Sequence, residues 1–388
     1  MKVSKMIVSS LKSSSAAKLT LMLLFLSSMP GHTFNLFEPL DKPHFTGPQF
    51  QLETNGRDFD RISIHPNSED WLFTECSREL NPQGDCHLLR YNINSKQLQR
   101  YLLPDGYFYG YASFSPQGNY IVLSRSPKHD GSEEKIRQSF ENGEIVMMRS
   151  DGTDFRVLSI PKGRILAPVM SKDETKIAYW KISSQREPGG GRGWGDFDVH
   201  EYDLKTKQDT LFAGPFHWVS GGNSQYLSEN EIMINSYSPR KNGQNMAGEY
   251  QKKFNYSEVY LLKRGAVDIP EPSFADVEHA RSPSVDRAGN IYLDGQKMPG
   301  VGSAFFRKTP SGEITFWRQP LLGRYGPLYA IVAPNGKYIA FSYAVDGTQY
   351  NGRKYALGRL DIGSATWMPT GIPRLGSSTP LVVKPASE

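Results

Sequence analysis

One pattern governs what this chain can become: a polar turn followed by an apolar strand returns six times at a nearly constant spacing. The first strongly apolar residue after each turn falls at Trp71, Ile121, Ile177, Ile232, Ile291 and Ile339, at intervals of 50, 56, 55, 59 and 48 residues. The turns read HPNSEDW, SPQGNYI, SKDETKI, SENEI, DRAGNI and APNGKYI, so the spelling drifts while the chemistry persists. A second set of tight turns, NINSK, RSDGTD, DLKTK, KRGAV, TPSGE and DIGSA, follows between two further apolar stretches and brings each unit to four short strands. Four antiparallel strands repeated at this kind of period specify a β-propeller, one blade per unit. The expected fold is therefore all-β, a six-bladed β-propeller of four-stranded antiparallel blades over residues 57–372. YASFS, APVMS and YAIVA read as innermost strands, where crowding near the axis favours small or β-branched side chains.

Two units carry more than the pattern. Phe114 to Gly118 with Ile121, the hairpin EIVMMRSDGTDFRVL from Glu144 to Leu158, and Ala333 to Gly336 with Ile339 resemble the TolB-type, WD40-like propeller repeats of exported bacterial proteins. The other four units match only in pattern. Propellers of this kind serve as scaffolds, binding modules and enzyme bodies alike, so the resemblance implies a fold and leaves the activity open.

The first 31 residues have the order of a secretory signal peptide: Lys2, Lys5, Lys12 and Lys18 without an acid, the apolar run LTLMLLFL, then Ser27, Ser28, Pro30 and Gly31. Eight apolar residues are too few to span a bilayer, which takes about 20. No Cys follows the run, which excludes a lipoprotein anchor. The expected mature chain is therefore periplasmic or secreted and has no transmembrane anchor. Its formal charge falls from +5 to near +1 once those four lysines leave. That balance lacks the concentrated basic face of a nucleic-acid binder. Residues 32–56 form an N-terminal segment in which PQFQLE is one candidate for a ring-closing strand; the tail 373–388, with TPLVVK, is the other. Cys76 and Cys86 are the only two cysteines and fall on neighbouring strands of the first blade. Facing Cα atoms there lie about 4.5–5.5 Å apart, within disulfide range, and export would favour the bond.

Catalytic signatures are missing. There is no Gly-x-Ser-x-Gly elbow, no Walker loop and no His-Glu-x-x-His, and GGGRGW lacks the Lys-Ser/Thr of a phosphate loop. No cofactor or metal is expected. In a four-stranded blade the first-to-second and third-to-fourth turns share one face; the second-to-third loops and the blade connections share the other. All the length variation falls on the second face, in SRSPKHDGSEEKIRQSFENGE, SSQREPGGGRGWGDF, SPRKNGQNMAGEYQKKFNYSE and AVDGTQYNGRKYA. Loops gathered on a rigid scaffold are where recognition is usually placed.

Aromatic and cationic residues at that mouth suit stacking on sugar rings, anchoring of a protein partner, or capture of an acidic group. The candidate ligand contacts are Arg164, Trp194, His217, Tyr256, His279, Arg281, Arg324 and Tyr355. Tyr109 and Trp218 also fall at strand starts. Arg281 and Arg324 begin neighbouring blades, so they can approach one anion together, and neither reads as a core residue. The expectation is a non-catalytic exported propeller that binds an envelope protein or glycan ligand. The alternative is a propeller-type lyase or glycosidase on acidic polysaccharide, with His217 or His279 as base or metal ligand.

Overall fold

The computed structural model describes residues 57–59, 61–77, 86–185, 195–219, 221–236, 257–274, 277–296, 304–318, 328–344, 355–372 and 375–387. Six small antiparallel sheets follow one another along the chain and form a six-bladed propeller. Blade 2 is typical: Tyr107–Phe114, Tyr120–Pro127, Glu144–Arg149 and Arg156–Val157 pair in sequence order from the axis outwards. In blade 4 the described ladder has three strands, and its outer edge is a single bridge between Tyr260 and Pro272.

Second strands are apolar on both faces because a neighbouring blade covers each face. Alternation along a strand sends successive side chains to opposite sides. In blade 1, Trp71 and Phe73 pack with Tyr338 and Ala340 of blade 6, while Leu72 between them packs with Phe114 and Leu123 of blade 2. The heaviest cluster lies between blades 3 and 4, where Trp180, Phe216, Trp218 and Tyr260 are all buried. Trp218, which the sequence places at the mouth, is therefore core; its ring lies 4.7 Å from that of Tyr260. Tyr109 is likewise buried and donates its hydroxyl to Pro104 O at 2.9 Å.

The inner strands share a device that periodicity does not reveal. In blades 2, 3, 5 and 6 the register slips by one residue midway along the first strand, as between Gly110↔Ser124 and Ser113↔Val122. At this slip a non-glycine residue turns left-handed, Tyr111 at φ 53°, Ala167 at 50°, Ser282 at 51° and Tyr329 at 55°, and blade 5 slips once more, nearer the mouth, at His279. Such backbone costs on the order of 1–3 kcal/mol per residue and persists only where the surroundings over-determine it. A bulge bends the strand that carries it, so the channel has a kink at one common level.

Below the kink the inner strands are stitched blade to blade. Ser63 Oγ accepts from Phe114 N at 3.0 Å, Ser113 Oγ donates to Pro168 O at 2.8 Å, and Ser224 Oγ donates to Ala167 O at 3.4 Å. Gln225 Oε1 accepts from Val285 N at 3.0 Å and Ser284 Oγ from Val332 N at 2.9 Å.

Blades 1 and 6 meet through Trp71 Nε1, which donates to Tyr338 OH at 2.8 Å, and Tyr338 OH, which donates to Ser68 O at 2.8 Å. The tail does add a strand, but as a strap. Thr379–Val382 pairs in parallel with Leu98–Leu102 at the outer edge of blade 1. It then continues to blade 2, where Lys384 and Ala386 bond to Gly152 and Phe155. The other candidate, PQFQLE, lies outside the described residues. Cys76 and Cys86 are direct register partners on adjacent strands of blade 1. Among the described residues, no helix is long and apolar enough to cross a membrane.

Candidate functional site

At the long-loop mouth the blade 2 insertion folds into a helix, Glu133–Glu141, which sequence reading took for plain loop. Ser139, buried on its inner side, donates its hydroxyl to Pro127 O and pins the helix to the second strand. The next residue, Phe140, lies over Arg164, whose guanidinium carbon is 5.1 Å from the Phe140 ring centre and 5.4 Å from that of Phe197. Arg164 is thus held between two aromatic faces, a geometry worth about 0.5–2 kcal/mol per contact depending on desolvation. Burial lowers its pKa, against the opposing effect of Tyr111.

Two other described mouth candidates, Arg281 and His217, sit against acids of the protein itself. Arg281 Nη2 lies 2.9 Å from Oδ2 of Asp294, whose side chain is fully buried. Burial pushes the Asp294 carboxyl upwards, and Arg281 opposes that. Arg281 is therefore tied into the blade, contrary to the expectation that it stands apart from the core. His217, left-handed at φ 57°, has Nδ1 3.1 Å from Ser183 Oγ and 3.7 Å from Asp198 Oδ2. Asp198 also accepts the backbone N–H groups of Phe216 and His217, at 2.7 and 2.9 Å. His279 is half-buried and left-handed at φ 53°. Tyr355 opens the strand Tyr355–Asp361. Trp194, Tyr256 and Arg324, with most of the blade 3, 4 and 6 loops, lie outside the described residues. No three His, Cys, Asp or Glu side chains gather as metal ligands among the described residues.

Internal pairing extends to neighbouring residues. Arg125 grips Glu144 through Nε and Nη2, at 2.8 and 2.7 Å. In the outer half of blade 3, Asp209 accepts from Lys181 Nζ at 2.6 Å and Tyr179 OH at 2.6 Å, with His200 Nδ1 at 3.1 Å. Burial would raise the Asp209 carboxyl, but the bonds from His200, Lys181 and Tyr179 outweigh it and hold the pKa well below the usual carboxylate range.

The kink level holds a residue that sequence reading missed. Arg61 leaves the inner strand of blade 1, stacks 4.4 Å over the Tyr111 ring of blade 2, and donates Nη1 to Gly222 O of blade 4 at 3.3 Å. Blades 1 and 4 are opposite each other in a six-membered ring, so Arg61 crosses the channel. Trp180 Nε1 donates to the same carbonyl at 2.9 Å. The signal lay in the Gly221-Gly222 pair: a Cβ on Gly222 would sit 2.2 Å from Asn235 O, and one on Gly221 2.6 Å from the Trp180 ring. Paired glycines next to a strand mark close backbone approach.

From Arg61 to the short turns, inner strands of all six blades enclose a cavity of about 660 Å³. Its walls include Ile64, Phe114, Met170, Val285 and Ile331. None of the strand starts above the kink lines it. This cavity thus opens towards the short turns, on the face opposite the long loops.

No family profile matches the chain, and no curated protein sequence does either. Solved structures do. TolB from Acinetobacter baumannii is similar over 82% of this chain and 64% of its own, with a TM-score of 0.51 and 14% identity. The tricorn protease is similar over 82% of this chain and 26% of its own, with a TM-score of 0.50 and 11% identity. An oligogalacturonate lyase in complex with manganese, at a TM-score of 0.47 and 11% identity, is too distant to argue from. The chain spans less than two thirds of the TolB chain it matches. What it shares with TolB at this distance is the propeller fold.

Proposed function

We propose that this protein is an exported, non-catalytic propeller that binds a protein or glycan ligand of the cell envelope at its loop-rich mouth. The observation that carries the reading is the Phe140–Arg164–Phe197 stack. An inserted loop has become a helix pinned to the scaffold, and its Phe140 lies against the Arg164 cation of the next blade at the mouth. Aromatic faces stack on sugars and anchor protein partners, and a guanidinium held beside two rings is restrained in advance for a carboxylate.

Binding of mature protein to a glycan array and to envelope extract, repeated with Phe140→Ala and Arg164→Ala, tests this. A ligand that the parent retains and each variant releases at least tenfold more readily supports the reading. Equal retention by all three proteins overturns it. Export rests on the basic, apolar and small-residue order of residues 1–31, and N-terminal sequencing should find the chain starting between about residues 28 and 36. A Cys76–Cys86 bond is supported by their direct register pairing. Two labelled thiols per chain in unreduced, denatured protein would refute it.

A further inference from the structure

We propose that the turn-side cavity is a second binding site, for a carboxylate carried on a hydrocarbon body, with Arg61 receiving the carboxylate at its inner end. The proposal goes beyond the mouth reading and does not depend on it.

Four observations converge. The volume, about 660 Å³, is that of a pocket for a small organic ligand. The walls are more apolar than polar, and several of their polar atoms already serve the blade-to-blade stitching: the N–H groups of Phe114, Val285 and Val332 and the hydroxyl oxygens of Ser63, Ser113, Ser224 and Ser284 are engaged there. Pro168 and Pro283, both lining residues, have no N–H to offer. Such walls favour a hydrocarbon over a peptide, whose backbone groups would enter without partners.

The charge inside has one sign left over. Arg61, Lys172 and Arg287 line the cavity and have no acid partner among the described residues. The acids in and beside the cavity are occupied by turn residues, Asp286 by those of its own turn and hairpin and Glu174 by those of the blade 2 turn. Asp286 accepts the N–H groups of Ala288 and Asn290 at 2.9 Å, Asn290 Nδ2 at 2.9 Å and Tyr292 OH at 3.3 Å. Glu174 accepts Gln117 N at 3.0 Å and Asn119 Nδ2 at 2.9 Å.

Arg61 is also oriented in advance. The Tyr111 ring holds its guanidinium from one side, one donor reaches Gly222 O, and that bond is its sole hydrogen bond among the described residues. A planar fork with free donors at the end of an apolar pocket matches a carboxylate, which it binds bidentately. Lys172 and Arg287 sit exposed at the opening, where they would draw an anion in without holding it rigidly.

Isothermal titration of the mature protein with octanoate, octanamide, N-acetyl-Leu-Leu carboxylate and inorganic phosphate tests the assignment. Octanoate should bind saturably at one site per chain, at least tenfold more tightly than octanamide, the dipeptide or phosphate. Arg61→Met should weaken it by ~10-fold or more, the range expected for a lost charged hydrogen bond. Arg61→Lys, which keeps charge and loses the fork, should fall between, and covers the case in which Arg61→Met does not fold. Phe140→Ala should leave octanoate binding unchanged, which separates this site from the mouth. Absence of octanoate binding, equal affinity for octanamide, tighter binding of the dipeptide or phosphate, or indifference to both Arg61 variants would each overturn the proposal.

Discussion

The two halves of the channel use positive charge in opposite ways. At the long-loop mouth Arg281 meets Asp294, Arg125 meets Glu144 and His217 sits beside Asp198. Below the kink, Arg61 and Arg287 touch carbonyl oxygens of other blades, and no acid answers them or Lys172 among the described residues. A cation paired inside the protein holds strands in place, and an outside anion must compete for it. One that meets only a carbonyl keeps donors to spare. An arginine at the start of a strand therefore becomes a candidate contact only when its counter-charge has been located.

The largest effect that could break this contrast is at Arg281. Arg281→Ala leaves Asp294 buried without its cation and should cost about 3 kcal/mol in chemical denaturation, towards the lower end for a broken buried pair because Arg281 itself is partly exposed. Arg281→Met combined with Asp294→Leu should recover most of that, since apolar replacement of a whole buried pair is often neutral or stabilising. A single variant as stable as the parent would show that the pair is no strut.

Next comes Asp209, where the paired pattern should be visible as pH dependence. A carboxyl held below its unfolded value contributes stability that is fully present above about pH 4 and is lost as pH falls from there through the depressed native value. Asp209→Asn should cost about 2 kcal/mol at pH 7, the scale of hydrogen bonds to a charged group. It should also flatten the loss of stability below pH 4, as measured by denaturant midpoints at a series of pH values. An unchanged acid limb would contradict the cluster's role.

The smallest effects should be at the cavity opening. Lys172→Ala and Arg287→Ala should each alter stability by no more than about 0.5 kcal/mol and leave the acid limb as it was, because neither neutralises a buried acid. A loss above about 2 kcal/mol at either position would erase the distinction between the two halves.

The fold was legible because its information is local and periodic: the turn before Ile121 and the turn before Ile339 each announce a hairpin without help from the rest of the chain. The kinks were not legible, since YASFS and YAIVA give no local reason for Tyr111 or Tyr329 to turn left-handed; the register with the second strand imposes it. The site was read in part. Arg164 and His217 were placed at the mouth by their position before inner strands, but the acid beside His217 comes from 19 residues away on another strand. Arg61 was missed because its partner Gly222 is 161 residues distant, and nothing near Arg61 hints at it. Trp218 and Tyr109 were placed at the mouth because a strand start on paper says nothing about which neighbouring blade closes over it.

The strap has a consequence for how the chain is made. The outer edge of blade 1, Leu98–Leu102, receives its partner only from Thr379–Val382, roughly 280 residues later in synthesis. At about 5–20 residues per second that edge waits on the order of 15–55 seconds with its ladder groups unpaired. Buried Leu98 and Tyr101 belong to the same strand as exposed Leu102, so the unfinished molecule presents a sticky edge that the finished one covers. Chains truncated before residue 379 should therefore aggregate or recruit chaperones more readily than chains that keep the tail to residue 386, although all six blades would already be complete.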